Sequence, residues 1–231
     1  METKCDTKIF EYIHCNLCGV DDYTIISESK HGKVSEQDLI EKFRSSGDET
    51  LIDQLVKCNK CGLIYINPRI KPKLILKGYS EGTDENFVSQ AKYRELTFNK
   101  ALKYIESFTK GNRGKIYDIG TAGGSFLNAA EKRGWEVHGT EPNKWLCKWS
   151  KENYGIDVIS GDNFSHKFEN DFFDVVTLWD VLEHVVDPSK NLKEIHRITK
   201  QGGLLVVNYP DIGSWISKLM GKKWIFLLSV H

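Results

Sequence analysis

The sequence has no long hydrophobic run. None of its 231 residues belongs to an apolar stretch near the ~20 residues that a membrane-spanning helix needs. Residues 1–15 also lack the apolar core of a signal peptide. These absences predict a cytoplasmic protein with no membrane segment. In that compartment its six cysteines are expected to be thiols or metal ligands rather than disulfides.

An excess of charge of one sign is missing as well. The 32 lysines and arginines are balanced by 32 aspartates and glutamates, and residues 1–75 carry no basic surplus of their own. Because a nucleic-acid-binding surface normally needs such a surplus, nucleic acid is not the expected partner. The length allows a full α/β domain with a small additional domain.

The cysteines that are present form two similar motifs. Cys15-Asn16-Leu17-Cys18-Gly19 is followed 39 residues later by Cys58-Asn59-Lys60-Cys61-Gly62. Four thiolates in two such pairs are the ligand set of a structural zinc site, which leaves no open position for a substrate. The spacing predicts a zinc ribbon over residues 1–75, with a helix or hairpin inserted near Glu36–Phe43. Disulfides are the alternative.

The second strong motif is Lys115–Leu127. Ile116–Ile119 reads as a short strand, Gly120–Gly124 as a glycine-rich turn, and Ser125 as the start of a helix. A strand that enters a helix through glycines creates a ligand site at the carboxyl edge of a parallel sheet. Asp118, expected to face this crevice, argues against a bound pyrophosphate and for a ligand with a positive charge.

Acids follow the next two predicted strands. Glu141 ends the strand at Trp135–Thr140, 21 residues after Gly120, and Pro142 occupies the expected first position of a helix. An acid at this place accepts hydrogen bonds from ribose hydroxyls in related nucleotide-binding units. A simple helix N-terminal acid is the alternative. A third strand, Ile156–Ile159, leads to Asp162 and Asn163.

These motifs together resemble a known enzyme family. Asp118, Gly120 and Gly124 match the D-x-G-x-x-x-G of motif I in class I S-adenosylmethionine (AdoMet) methyltransferases, and Asp180–Val185 (DVLEHV) resembles motif IV of the small-molecule members. The resemblance implies a Rossmann-like α/β domain over residues 76–231. Five parallel strands can be recognised from Ile116 onward. The C-terminal hairpin of the seven-stranded fold is expected to be missing, because the sequence stops at His231.

The resemblance also implies a set of functional residues. Those expected to bind AdoMet are Tyr79, Asp118, Gly120, Thr121, Gly123, Glu141, Pro142, Asp162, Asn163, Trp179 and Asp180. Asp162 resembles the residue that accepts from the adenine amino group, although a Gly-Asp pair is also a common turn. Tyr79 is equally well explained as a core residue. His184 is the candidate catalytic base, with a structural role in its loop as the equal alternative.

The methyl acceptor is expected to be a small molecule. The ribbon followed by Cys61–Arg69 (CGLIYINPR) resembles a group that includes sugar methyltransferases, which favours a sugar or a sugar nucleotide. At Leu228–His231 only the histidine matches the Tyr-x-Glu-His of the sugar C-methyltransferases. The alternatives are an RNA methyltransferase that binds RNA through the ribbon and a non-catalytic AdoMet-binding protein.

Overall fold

A computed structural model describes residues 8–30, 53–221 and 224. These residues fall into two compact units. The first lies within Met1–Tyr79, Glu183–Ser189 and Pro210–His231, and the second within Ser80–Leu182 and Lys190–Tyr209. The predicted insertion at Glu36–Phe43 and the Leu228–His231 comparison lie outside the described residues. The predicted boundary between residues 75 and 76 stays a prediction.

The first unit contains short antiparallel strands. They are β1 (Phe10–Glu11), β2 (Tyr23–Ser27), β3 (Leu55–Cys58), β4 (Ile64–Ile66) and β5 (Arg69–Ile70). Strands β2, β3 and β4 form one sheet, and β1 pairs with β5. The two cysteine motifs form equivalent turns, since the Gly19 amide donates to the Cys15 carbonyl and the Gly62 amide to the Cys58 carbonyl. This arrangement brings the cysteines of both turns close together.

A helix follows the last described strand of the first unit. Helix α1 spans Pro72–Glu81, and its Leu74 packs with Ile9 and Ile70 in a small buried cluster. Proline suits the first helical position because its missing N–H would have no helical partner there. The next helices are α2 (Glu85–Ser89) and α3 (Ala91–Phe108).

The second unit alternates strands with helices, as the sequence predicts. Its elements include β6 (Lys115–Ile119), α4 (Ser125–Glu131), β7 (Glu136–Glu141), α5 (Lys144–Tyr154), β8 (Ile159–Ser160), β9 (Phe173–Trp179), α6 (Pro188–Ile198) and β10 (Thr199–Asn208). The last described helix of the chain is α7 (Trp215–Met220). Among the described residues, five strands pair in parallel in the order β10-β9-β6-β7-β8. The Rossmann-like sheet is therefore confirmed.

This strand order sets the place of a ligand site. The chain moves outward from β6 through β7 to β8, then returns to the other side of β6 for β9 and β10. In open α/β sheets, ligands bind at the carboxyl ends of the strands where the order reverses. Here that point is the end of β6 and β9, where the glycine-rich turn and Trp179 are found.

Both faces of the parallel sheet are buried. One core cluster includes Leu102, Phe126 and Val175, and the other includes Tyr117, Phe173 and Ile195. One sequence expectation differs in detail, since the third strand begins at Ile159 rather than Ile156. Within the described part of the chain, no helix is long and apolar enough to cross a membrane.

Candidate functional site

The turn after β6 is tight and depends on glycine. Gly120 has a φ of +67°, and a Cβ atom there would lie 2.7 Å from Cγ2 of Val181. The Thr121 amide donates to the Thr140 carbonyl at 3.0 Å, which joins the turn to β7. A larger residue at Gly120 would require both a strained backbone and a displaced Val181. The turn thus fixes backbone amides at the carboxyl edge of the sheet.

Glu141 fastens the end of β7 to this turn. Its side chain is fully buried, Oε2 accepts a hydrogen bond from the Ala122 amide at 2.8 Å, and Oε1 accepts from the Asn143 amide at 2.8 Å. Hydrogen bonds to a carboxylate are stronger than those between neutral groups. Glu141 therefore joins the end of β7 to the turn, a link that the sequence did not suggest. Its contact with ribose stays a prediction.

The helix after Glu141 begins later than expected. Helix α5 starts at Lys144, and Asn143 is its N-cap, with Oδ1 accepting from the Leu146 amide at 3.0 Å. Asn143 Nδ2 also donates to the Gly82 carbonyl at 2.9 Å. The expectation that Pro142 is the first helical residue is therefore wrong. An asparagine three residues before Leu146 is a usual N-cap signal that could have been recognised.

Asp118 is buried in β6, one residue before the end of the strand. It is 1% exposed and accepts a hydrogen bond from Thr177 Oγ1 at 2.6 Å, across the β6–β9 pairing. Burial raises the pKa of Asp118 to about 7, and the nearby charge of Glu141 adds to the rise. Thr177 thus supplies Asp118 with a partner inside the sheet. The orientation of Asp118 toward the crevice stays a prediction.

Asp162 forms the turn that the sequence offered as an alternative. Its Oδ1 accepts from the Phe164 amide and from Ser165 Oγ, both at 3.0 Å. The neighbouring Asn163 is 2% exposed, and its buried Nδ2 has no hydrogen-bond partner among the described residues. A buried donor without a partner costs roughly 1–3 kcal/mol. Asn163 is therefore a better candidate than Asp162 for a contact with a polar ligand.

The end of β9 brings a tryptophan and an acid to the same edge. Trp179 lies against Phe98 and Phe126, with ring centroids 5.4 and 5.3 Å away. Its buried Nε1 has no acceptor within the described segments. Asp180 adopts a φ of +54°, and its Oδ1 accepts from Asn208 Nδ2 at 3.1 Å at the tip of β10.

Sequence reasoning missed Arg94 on α3. Its guanidinium stacks on the Phe87 ring at 3.8 Å, and its buried Nε lacks a hydrogen-bond partner in the described chain. Burial lowers the pKa of Arg94, while the charges of Asp180 and Asp84 oppose this shift. No sequence signal marks this residue, because α3 carries many other charged residues on its exposed faces.

The two remaining candidates belong to the first compact unit. Tyr79 lies on α1. His184 is exposed and ends a 3₁₀ helix, Leu182–His184, shortly after Asp180. Their predicted roles in cofactor binding and catalysis stay predictions.

The four predicted metal ligands come together in the first unit. The Sγ atoms of Cys15, Cys18, Cys58 and Cys61 all lie within 4.8 Å of one another. The Cys15–Cys61 and Cys18–Cys58 pairs are each separated by 3.5 Å, and all four thiols are free. Zn–S bonds of ~2.3 Å place the sulfurs of a tetrahedral site about 3.8 Å apart. The cluster therefore fits a tetrahedral metal ion and not a pair of disulfides.

Comparison with known proteins gives one family. A family model described as "Methyltransferase domain" matches residues 91–230. A ubiquinone biosynthesis O-methyltransferase from Coxiella burnetii is 26% identical over 141 residues, which cover 55% of this chain and 57% of that protein. A demethylmenaquinone methyltransferase from Paenarthrobacter aurescens is 30% identical over 105 residues, covering 44% and 42%. The chain thus spans about half the length of these relatives.

Among solved structures, a SAM-dependent methyltransferase from Archaeoglobus fulgidus has a TM-score of 0.47 and 23% identity. The similarity covers 59% of this chain and 63% of that one.

Proposed function

The chain belongs to the methyltransferase-domain family, and from this premise we propose that it is an AdoMet-dependent methyltransferase acting on a small molecule. The observation that carries the proposal is the carboxyl edge of the parallel sheet. There the Glu141 carboxylate anchors the turn after β6 through Ala122, at the point where the strand order reverses.

The residues at this edge fit the groups of AdoMet. Asn163 Nδ2 and Trp179 Nε1 are buried donors without protein partners in the described residues, and AdoMet offers adenine nitrogens, ribose oxygens and a carboxylate as acceptors. We assign cofactor contacts to the turn residues Gly120, Thr121 and Gly123 and to the strand-end residues that follow. Those strand-end residues are Asp118, Glu141, Pro142, Asp162, Asn163, Trp179 and Asp180, with Tyr79 as a further contact.

When bound, AdoMet supplies a methyl group that is already activated by its positively charged sulfur. The protein then needs mainly to orient the acceptor and to remove a proton from it. We assign proton removal to His184, which follows Asp180 closely in the chain and has an exposed imidazole. An imidazole suits this role because its unperturbed pKa lies near neutral pH.

The acceptor is proposed to be a small molecule. The ribbon and its CGLIYINPR continuation favour a sugar or sugar nucleotide, whereas the relatives named as a ubiquinone biosynthesis O-methyltransferase and a demethylmenaquinone methyltransferase favour a quinone-related ring. An RNA acceptor is less favoured, since residues 1–75 have no basic surplus.

We extend the proposal to the four cysteines, which would bind one structural zinc ion in a ribbon domain of residues 1–75 that precedes the catalytic domain of residues 76–231. The Sγ spacing supports this assignment. Four thiolates leave zinc no open position for a substrate, so its contribution is to folding.

Transfer of a radiolabelled methyl group from AdoMet tests the proposal. The purified chain is incubated with three acceptor sets: sugar nucleotides, catechols with hydroquinones, and total RNA. Label in one of the first two sets, lost in His184→Ala, supports the proposal. Label in RNA alone contradicts the small-molecule assignment. Absence of transfer to all three sets, with AdoMet binding intact, would favour the non-catalytic alternative.

A further inference from the structure

The loop that carries His184 is held by the cysteine-rich unit. The carbonyl of Val186 accepts two hydrogen bonds, from Asn16 Nδ2 at 3.1 Å and from Arg69 Nη1 at 3.0 Å. Ser189 Oγ donates to the Asn16 carbonyl at 3.2 Å. The loop Glu183–Ser189 and these donors belong to the same compact unit, although they are more than 100 residues apart in the chain.

Each donor is itself held in place by the ribbon. Asn16 lies between the metal ligands Cys15 and Cys18, so its position depends on the turn that surrounds the metal site. Arg69 lies on β5, opposite Glu11 on β1, and its Nε donates to Glu11 Oε1 at 2.9 Å. A carbonyl oxygen has two lone pairs, and both of those on Val186 are thus filled by anchored groups.

We propose that Asn16, Arg69 and Ser189 form a loop clamp through which metal binding by the four cysteines fixes the position of His184. They are positioning residues, since the hydrogen bonds seen for them in the described residues lie within the ribbon or join it to the loop. The clamp gives the ribbon a function beyond its own folding. When the metal site is ordered, the loop that carries His184 is held in a fixed position, and the methyltransferase reaction would use this loop. This inference rests on the proposed role of His184.

The chain offers a matched control for the clamp. Asn59 occupies in the second cysteine motif the place that Asn16 occupies in the first. Its side chain accepts from Thr24 Oγ1 at 2.8 Å and donates to Asp22 Oδ1 at 2.7 Å, so its bonds stay within the ribbon. Asn16→Ala and Asn59→Ala therefore disturb equivalent turns beside a metal ligand, and Asn16→Ala alone removes a bond to the loop.

Hydrogen–deuterium exchange of the zinc-loaded full chain, followed by mass spectrometry, tests the clamp. Peptides covering residues 183–189 are expected to exchange roughly five- to tenfold faster in Asn16→Ala than in the wild type, because one of the bonds that resist opening is lost. Exchange in Asn59→Ala is expected to equal that of the wild type.

Ser189→Ala should accelerate exchange, and Ser189→Thr, which keeps a hydroxyl, should restore protection. Removal of zinc from the wild type with a chelator should also accelerate exchange in residues 183–189.

A second readout separates positioning from general destabilisation. In histidine-labelled protein, the imidazole resonance of His184, assigned with His184→Gln, should shift or broaden in Asn16→Ala but not in Asn59→Ala. Zinc content and AdoMet affinity should be unchanged in both variants. Equal effects of both variants on loop exchange, or none from either, would overturn the clamp. Failure of the wild type to bind AdoMet would instead refute the proposed function, since the exchange result does not depend on the cofactor.

Discussion

The carboxylate of Glu141 accepts the backbone amide of Ala122 at 2.8 Å, which joins the end of β7 to the turn after β6. The same carboxylate accepts the Asn143 amide, one residue before α5. One buried acid thus holds together the turn after β6, the end of β7 and the start of α5, which all belong to the proposed AdoMet site. Its loss should affect both folding and cofactor binding.

Glu141→Gln should lower the free energy of unfolding by roughly 1–3 kcal/mol, because its amide nitrogen would face a backbone N–H that now lacks an acceptor. AdoMet affinity should fall by a similar free energy. Urea unfolding and calorimetric titration measure the two effects. Glu131→Gln, at the exposed end of α4, is the matched control and should change neither. An unchanged AdoMet affinity in a folded Glu141→Gln protein would refute the role of Glu141 in cofactor binding.

Asp118 should make the protein less stable as pH rises. Its pKa is raised to about 7 in the folded state, chiefly by burial, against 3.8 for the exposed group. The unfolded chain therefore releases this proton at lower pH than the native chain does, and stability falls between about pH 4 and pH 7 by up to roughly 4 kcal/mol.

Asp118→Asn should remove this pH dependence. The difference in unfolding free energy between the variant and the wild type should shift in favour of the variant as pH rises from 4 to 7 and stay constant above 7. Urea unfolding of both proteins between pH 4 and pH 8 measures this difference in unfolding free energy. A constant difference at all pH values would show that Asp118 is ionised throughout.

Glu106 should have the opposite effect on acid stability. Its carboxylate accepts from Arg133 Nε at 2.8 Å and from Trp135 Nε1 at 3.4 Å, and the Arg133 bonds are the main cause that lowers the pKa of Glu106 to about 2. Its stabilisation is present above about pH 4.5 and is lost as pH falls toward 2. Glu106→Gln should cost roughly 2 kcal/mol at pH 7 after solvent screening is allowed for. Thermal unfolding at pH 7 and pH 2.5 measures the effect, and an equal loss at both would contradict the ionic explanation.

The four-cysteine site should hold one metal ion per chain. Cys58→Ser should reduce zinc content well below one equivalent and destabilise the first unit, because the remaining three thiolates cannot complete a tetrahedral set. Elemental analysis after dialysis measures the zinc content. Cys147→Ser provides the control, since Cys147 lies on α5 and outside the cluster. Full zinc content in Cys58→Ser would exclude the four-thiolate site.

The sequence predicted those features that depend on local pattern. The parallel sheet followed from alternating strands and helices, and the turn at Gly120 from its glycines. The hydrogen bond of Asp118 could not be predicted, because its partner Thr177 lies 59 residues away on another strand. Arg94 was missed for a similar reason, since its surroundings come from Phe87 and the distant Asp180.

The cysteine cluster was predictable because each pair of ligands is local and the number of ligands a metal needs is fixed by chemistry. The clamp on Val186 was not, because it joins residues 16, 69 and 186 through side chains with no motif of their own.

Calorimetric titration of the full chain with AdoMet, S-adenosylhomocysteine and NADH tests the central claim most directly. We expect micromolar binding of the first two at one site per chain and no binding of NADH, because Ala122 stands where a dinucleotide-binding turn has its second glycine. Binding of NADH, or no binding of AdoMet by a folded and zinc-loaded chain, would contradict the assignment of this sheet edge as an AdoMet site.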